Sequence, residues 1–229
     1  MEKNLFKKIT KKIIEKYIWK YFLLNKIKNQ RGLLKLNLGA GNNPIKGWIN
    51  ADITPRSWNI LYVDVKKKMP FKSNTFDYIM LEHLIEHLSW QDGKKMLKEC
   101  FRILKKGGKL RISTPNIIFV VSLYKKNSNN EYYTRKITRR FLKNLYKKNC
   151  RPVFVINNAF YNWGHKFLYD QKLLVEALQE ARFKEIKREY YGNSRDNNLN
   201  KIETHEKGVG DIKVCQIESI VLEALKRKN

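Results

Sequence analysis

His83-Leu84-Ile85-Glu86-His87 places two imidazoles and a carboxylate within five residues. Histidines at i and i+4 share one face of a helix, a spacing that can hold zinc. The same rings titrate near neutrality, so they can also take a proton from a reacting group. Upstream, the apolar run Leu34-Lys35-Leu36-Asn37-Leu38 leads straight into Gly39-Ala40-Gly41. Gly39 and Gly41 lack a Cβ, so the chain can take positive φ there and let a ligand sit against its backbone. Three short apolar runs downstream each close on an acid: Asp52 after Trp48–Ala51, Asp64 after Ile60–Val63, and Glu82 after Phe76–Leu81. Acids at successive strand ends line the carboxyl edge of an open sheet, where such sheets bind small molecules.

The elements that must position these residues alternate strand and helix, the pattern of a parallel sheet. Ser89-Trp90-Gln91-Asp92 reads as a helix cap, opening a helix that buries Met96, Leu97, Cys100, Phe101 and Leu104. Gly107-Gly108 is expected to end that helix and turn the chain into a fifth strand. Asp170 is expected to cap a further helix whose buried stripe is Leu173, Leu174, Ala177, Leu178 and Ala181. Strands are then expected at Phe183–Tyr191 and Ile217–Leu225, around a polar loop carrying Asn193, Arg195, Asp196 and Glu203.

With Glu82-His83-Leu84-Ile85-Glu86-His87-Leu88 after the fourth strand and Arg102-Ile103-Leu104-Lys105-Lys106-Gly107-Gly108 before the fifth, the chain resembles class I S-adenosylmethionine (SAM) dependent methyltransferases. The likeness is to the branch with many relatives in surface-polysaccharide or glycolipid biosynthesis, and it covers residues 33–229. It implies an α/β, Rossmann-like fold: a mostly parallel seven-stranded sheet with helices on both faces. It also implies SAM as cofactor, held by Asn37, Gly39, Ala40, Gly41, Asp52, Asp64, Val65, Leu81 and Glu82. Asp52 takes the place of the acid that accepts the ribose hydroxyls, Asp64 that of the partner of the adenine amine, and Leu81 and Glu82 lie beside the sulfonium. Asn37 stands where the family usually has an acid, and it withholds a charge from the cation.

The histidines carry three readings. H-x-x-E-H is also the inverted zinc-peptidase pattern, but its position after a methyltransferase fourth strand speaks against that chemistry. Small-RNA and ubiquinone-type O-methyltransferases carry E-x-x-E-H at this place with a divalent ion. Here His83 replaces the first Glu, so a metal on His83, Glu86, His87 and His165 is the alternative. The expectation is a metal-free general base, because an alcohol must lose its proton as methyl transfer proceeds. His83 is the first candidate and His165 the second. His87 is expected to be structural, and His205 to be a solvated surface residue.

The chain has 229 residues and a net charge of +27, from 48 basic and 21 acidic residues. That length suits one domain with a real core, and the charge calls for an anionic partner or reflects lysine-rich coding. Residues 1–31 carry +8 and read as a basic amphipathic helix over 3–28. Such a helix either lies on an anionic membrane surface or packs on the domain. Residues 32–229 form the methyltransferase domain, with 117–165 as a lid on the acceptor side. Lys125 to Arg151 hold ten basic residues against Glu131 alone, interleaved with aromatics such as Tyr124, Tyr133, Phe141, Tyr161 and Trp163. The expected acceptor is therefore an anionic or sugar-like small molecule or glycan. The reaction that the resemblance implies is O-methylation of a sugar hydroxyl on a glycan, nucleotide-sugar or lipid-linked saccharide. RNA methylation and a non-catalytic binding protein of the same fold are the other readings. Three widely spaced cysteines, with no signal peptide or membrane span apparent, suggest a cytoplasmic protein that is peripheral at the membrane if the first helix binds there.

Overall fold

The computed structural model describes residues 32–142 and 150–227, together with Tyr21, Asn25 and Ile27. The helix expected over 3–28 lies outside the described residues except at those three positions.

Seven strands form one sheet: β1 (Lys35–Leu38), β2 (Ile49–Asp52), β3 (Ile60–Tyr62), β4 (Phe76–Glu82), β5 (Leu104–Pro115), β6 (Lys184–Glu189) and β7 (Ser219–Leu225). Their spatial order is β3-β2-β1-β4-β5-β7-β6. Strands β1 to β5 pair in parallel, and β7 runs antiparallel to both β5 and β6. The chain leaves β1 toward one edge and returns to β4 on its other side. This reversal opens a crevice above Leu38 and Leu81, which are paired in register.

Helix α1 (Trp90–Ile103) starts where Ser89 accepts the amide of Asp92 at 3.2 Å. Short helices follow at α2 (Ile117–Val121), α3 (Ser128–Ile137) and α4 (Pro152–Tyr161), and α5 (Gln171–Glu180) is capped by Asp170. Two more, α6 (Glu206–Val209) and α7 (Ile212–Glu218), precede β7. Side chains alternate across a strand, and β7 shows what that does here. Ile220, Leu222 and Ala224 join α1 and α5 in the main core, while Val221 packs with Tyr133, Ile137 and Val155 from residues 117–165. Helices therefore cover both faces of the sheet.

Three local expectations are corrected. Ile217 and Glu218 are helical, because Asp211 accepts the amides of Lys213 and Val214 and starts α7. Helix α1 ends at Ile103, and Gly107 and Gly108 lie within β5. A side chain on Gly108 would meet the Asp77 carbonyl at 2.9 Å, so close strand packing explains that glycine. Lastly, His83 and His87 do not share a helical face. Ile85–His87 is a single 3-10 turn, and His83 precedes it at φ +45°.

Candidate active site

The glycine turn is built by backbone bonds across to β2. Gly39 and Ala40 donate to the Ala51 carbonyl at 2.8 and 3.1 Å, and the Gly41 amide donates to Asp52 Oδ2 at 2.9 Å. Gly39 (φ +76°) and Gly41 (φ +51°) hold conformations that glycine adopts at little cost. A side chain on Gly41 would meet nothing within 4 Å, which leaves open space beside the bare backbone. Residues 39–43 form one wall of a cavity of about 340 Å³, and Glu82, His83 and Glu86 from the end of β4 form another. That volume suits a small-molecule site.

The other residues expected to hold a cofactor lie behind or beside this wall. Asn37 is buried and donates to Asn50 Oδ1 at 3.0 Å, and Leu81 and Val65 are core residues. Asp52 also accepts the Thr54 amide at 2.7 Å, so its carboxylate secures the turn that Gly41 needs. Asp64 accepts the Lys66 amide and lies 3.6 Å from Lys67 Nζ. Glu82 is committed elsewhere. Its oxygens accept the Thr204 amide and hydroxyl, the His205 amide and the Tyr191 hydroxyl, fastening the polar loop over the strand end.

His83 is nearly enclosed. Its Nδ1 lies 3.1 Å from Glu86 Oε1, its Nε2 lies 3.2 Å from Ser219 Oγ, and its ring stacks on His205 at 3.8 Å. Burial works against a charged ring here, but the adjacent Glu86 carboxylate outweighs it and raises the His83 pKa. Burial likewise opposes the charge on Glu86, yet His83 brings it down to about 2. Both ring nitrogens of His83 are thus engaged within the protein, by Glu86 and by Ser219. The pair also makes stability depend on pH. The Glu86 contribution is complete above its usual 4.5 and is lost as pH falls toward about 2. The His83 contribution is complete below its usual 6.5 and is lost as pH rises through its higher folded value. The stability difference between wild type and His83→Gln should therefore be largest between 4.5 and 6.5 and shrink in alkali, which urea titrations at several pH values can measure.

His165 has the opposite character. Its Nδ1 lies 2.7 Å from the Ala159 carbonyl, which fixes the proton on Nδ1 and leaves Nε2 as an acceptor. Burial lowers its pKa, so the neutral ring prevails at pH 7. His87 meets its edge at 5.1 Å. Glu86, His87 and His165 can each bring a ligand atom within 4.8 Å of the others, and so can His83, His205 and Glu218. The two trios differ in geometry. A nitrogen lone pair lies in its ring plane, so the nearly parallel rings of His83 and His205 (9°) cannot both aim at one ion between them. The rings of His87 and His165 are inclined at 70° and can converge.

Sequence reasoning missed His205 and Glu218, which meet at 3.5 Å on the cavity wall. Among the described residues that line the cavity are three glutamates and four histidines but neither Lys nor Arg. In a chain of net charge +27 this is a sharp local reversal.

Residues 48–112 match the family described as a methyltransferase domain. An uncharacterized protein of Methanocaldococcus jannaschii is 28% identical over 112 residues, which cover 41% of this chain and 46% of that one. The match thus spans less than half of that relative's length. A SAM-dependent methyltransferase of Thermotoga maritima, described as a possible histamine N-methyltransferase, is structurally similar with 16% identity and a TM-score of 0.47. That similarity covers 98% of this chain and 99% of the other. A second SAM-dependent methyltransferase, from Archaeoglobus fulgidus, has 16% identity and a TM-score of 0.47, over 92% and 94% of the two chains.

The match over residues 48–112, the sheet order and the glycine turn at the switch point agree with one another. The match is to a methyltransferase domain, and the sheet order is that of an open α/β fold with a glycine turn at the switch point. The bare backbone of residues 39–41 leaves room for a small ligand, since a side chain on Gly41 would meet nothing within 4 Å. Replacing Asp52 by alanine should weaken SAM binding by about ten- to a hundredfold in calorimetry, the worth of a charge-assisted hydrogen bond. Part of that loss would come from the unfastened Gly41 amide. Unchanged affinity would remove Asp52 from the cofactor site.

Proposed function

We propose that this protein transfers a methyl group from SAM to a hydroxyl of an uncharged sugar, with His165 as the general base. SAM, when bound, supplies an electrophilic methyl group on a sulfonium. Gly39–Gly41 and Asp52 would hold it, and His165 Nε2 would accept the hydroxyl proton as the alcohol oxygen attacks. The observation that carries this reading is the bond from His165 Nδ1 to Ala159, which leaves an acceptor nitrogen on the cavity wall. Both ring nitrogens of His83 are instead taken up within the protein, Nδ1 by Glu86 and Nε2 by Ser219.

Lid chemistry supports a sugar. Phe141 and Trp163 meet edge to face at 4.9 Å on the cavity rim, and both are partly exposed. Aromatic faces of this kind stack on the apolar side of sugar rings. The anionic acceptor suggested by lid composition finds less support, because Arg135, Arg139 and Arg140 lie on exposed surface while carboxylates line the cavity. A neutral glycan presents the required hydroxyl, whereas a nucleotide-sugar would bring its phosphates to a cavity lined by carboxylates. The test is methyl transfer from labelled SAM to such acceptors, read by mass spectrometry of the product. Transfer to amines only would overturn the hydroxyl assignment.

A second reading is metal-assisted transfer, as in the RNA alternative, and it is favoured by the convergence of Glu86, His87 and His165. Glu86 Oε1 is fully buried and makes no well-aligned hydrogen bond, its contact with His83 being ionic. Carboxylate and imidazole donors suit zinc, manganese or iron(II). Under this reading EDTA abolishes activity, a divalent ion restores it, and Glu86→Gln lowers metal content measured by elemental analysis. Under the base reading EDTA changes nothing.

A further inference from the structure

Apolar exposure on this protein is uneven. Among the described residues thirteen large hydrophobic side chains are exposed, and six lie within residues 117–165. Three of them form a stripe. Ile118, Val121 and Tyr124 follow one another at three-residue spacing along α2 and the 3-10 turn Ser122–Tyr124 that continues it. That spacing puts them on one side of the helical segment. They are 58%, 53% and 65% exposed, while Val120 and Leu123 between them are buried. The segment is thus apolar on two sides, one packed into the fold and the other facing solvent.

The surroundings of the stripe indicate what covers it. Lys125 and Lys126 follow it directly and are exposed, and Arg135, Arg139 and Arg140 on the same lid are exposed as well. Glu131 is the one acid among residues 117–165. Apolar anchors beside charge of a single positive sign match the interface of an anionic bilayer. Tyr124, at the junction of the apolar and basic parts, is a residue type that settles at headgroup depth. No described helix is long and apolar enough to cross a membrane, so this contact would be peripheral. Phe141 and Trp163 on the cavity rim belong to the same lid.

We infer that the lid docks on an anionic lipid surface through Ile118, Val121 and Tyr124, with Lys125 and Lys126 at the headgroups. The inference does not depend on which atom is methylated.

The full-length protein would be sedimented with phosphatidylcholine vesicles, with and without phosphatidylglycerol, at low and high salt. Wild type should bind the phosphatidylglycerol vesicles and release as salt rises. Ile118→Ser/Val121→Ser/Tyr124→Ser and Lys125→Glu/Lys126→Glu should each bind at least about tenfold more weakly, with SAM affinity unchanged. Three results would overturn the proposal. One is a wild type that ignores both vesicles. Another is a triple variant that binds as wild type does, which places the contact elsewhere in the chain. The third is a triple variant that keeps vesicle binding but converts a wild-type dimer to a monomer, which gives the stripe to a second copy.

Discussion

Replacing His165 by alanine is expected to lower kcat by about 10²–10⁴-fold, the usual worth of a positioned base. SAM affinity should change little, because a base that acts on the acceptor contributes to the transition state rather than to cofactor binding. The pH profile separates the two histidines. A base with a lowered pKa is already deprotonated at neutrality, so wild-type kcat/KM should rise on the acid side, through a value below 6.5, and then level off. Were His83 the base, its raised pKa would move that limb above 6.5. His165→Ala with near wild-type kcat would sink the assignment. A parallel loss of bound metal in the same variant would instead favour the metal-assisted reading.

The features legible in the sequence were those written in local pattern. Gly39 and Gly41 announce a turn by composition, Ser89 and Asp170 announce helix starts, and the acids at Asp52, Asp64 and Glu82 mark strand ends. Each signal spans a few residues. What the sequence concealed depends on distant pairing. Glu82 looks like a ligand-facing acid until Thr204 and His205 are found on its oxygens, more than 120 positions away. His205 lies in a polar loop, and nothing local foretells its stack on His83. The run Val214-Cys215-Gln216-Ile217 suits a helix or a strand equally. Only the Asp211 cap and the pairing of Ser219 with Pro115 decide where α7 ends and β7 begins. Local pattern favoured His83 over His165 as base, since His83 stands nearest the fourth strand. The proposal of His165 rests on which nitrogen of each ring is engaged, and that depends on Glu86, Ser219 and Ala159.

Arg111→Met is expected to be the most destabilising substitution of a residue outside the reaction. Arg111 is fully buried in β5, where a charged residue interrupts the run Leu110-Arg111-Ile112. It donates from Nε to Glu203 and from Nη1 to Glu223, both at 2.6 Å, and from Nη2 to the Tyr190 and Asn193 carbonyls, both at 3.0 Å. One guanidinium therefore satisfies two buried carboxylates and the start of the loop that Glu82 fastens at Thr204. Burial already raises the Glu203 pKa against the pull of Arg111, so without the cation this carboxyl should take up a proton. Breaking a buried ion pair by removing one partner costs about 3–5 kcal/mol. For a chain of this size that lowers Tm by about 10 °C. Differential scanning calorimetry would measure the loss, and a drop of under about 1 kcal/mol would show that the triad carries no such weight. The triple change Arg111→Met/Glu203→Gln/Glu223→Leu should recover much of the stability, since it leaves no buried charge unpaired. Recovery of stability without recovery of acceptor binding would assign the triad a second task, holding the 190–205 loop in place over the cavity.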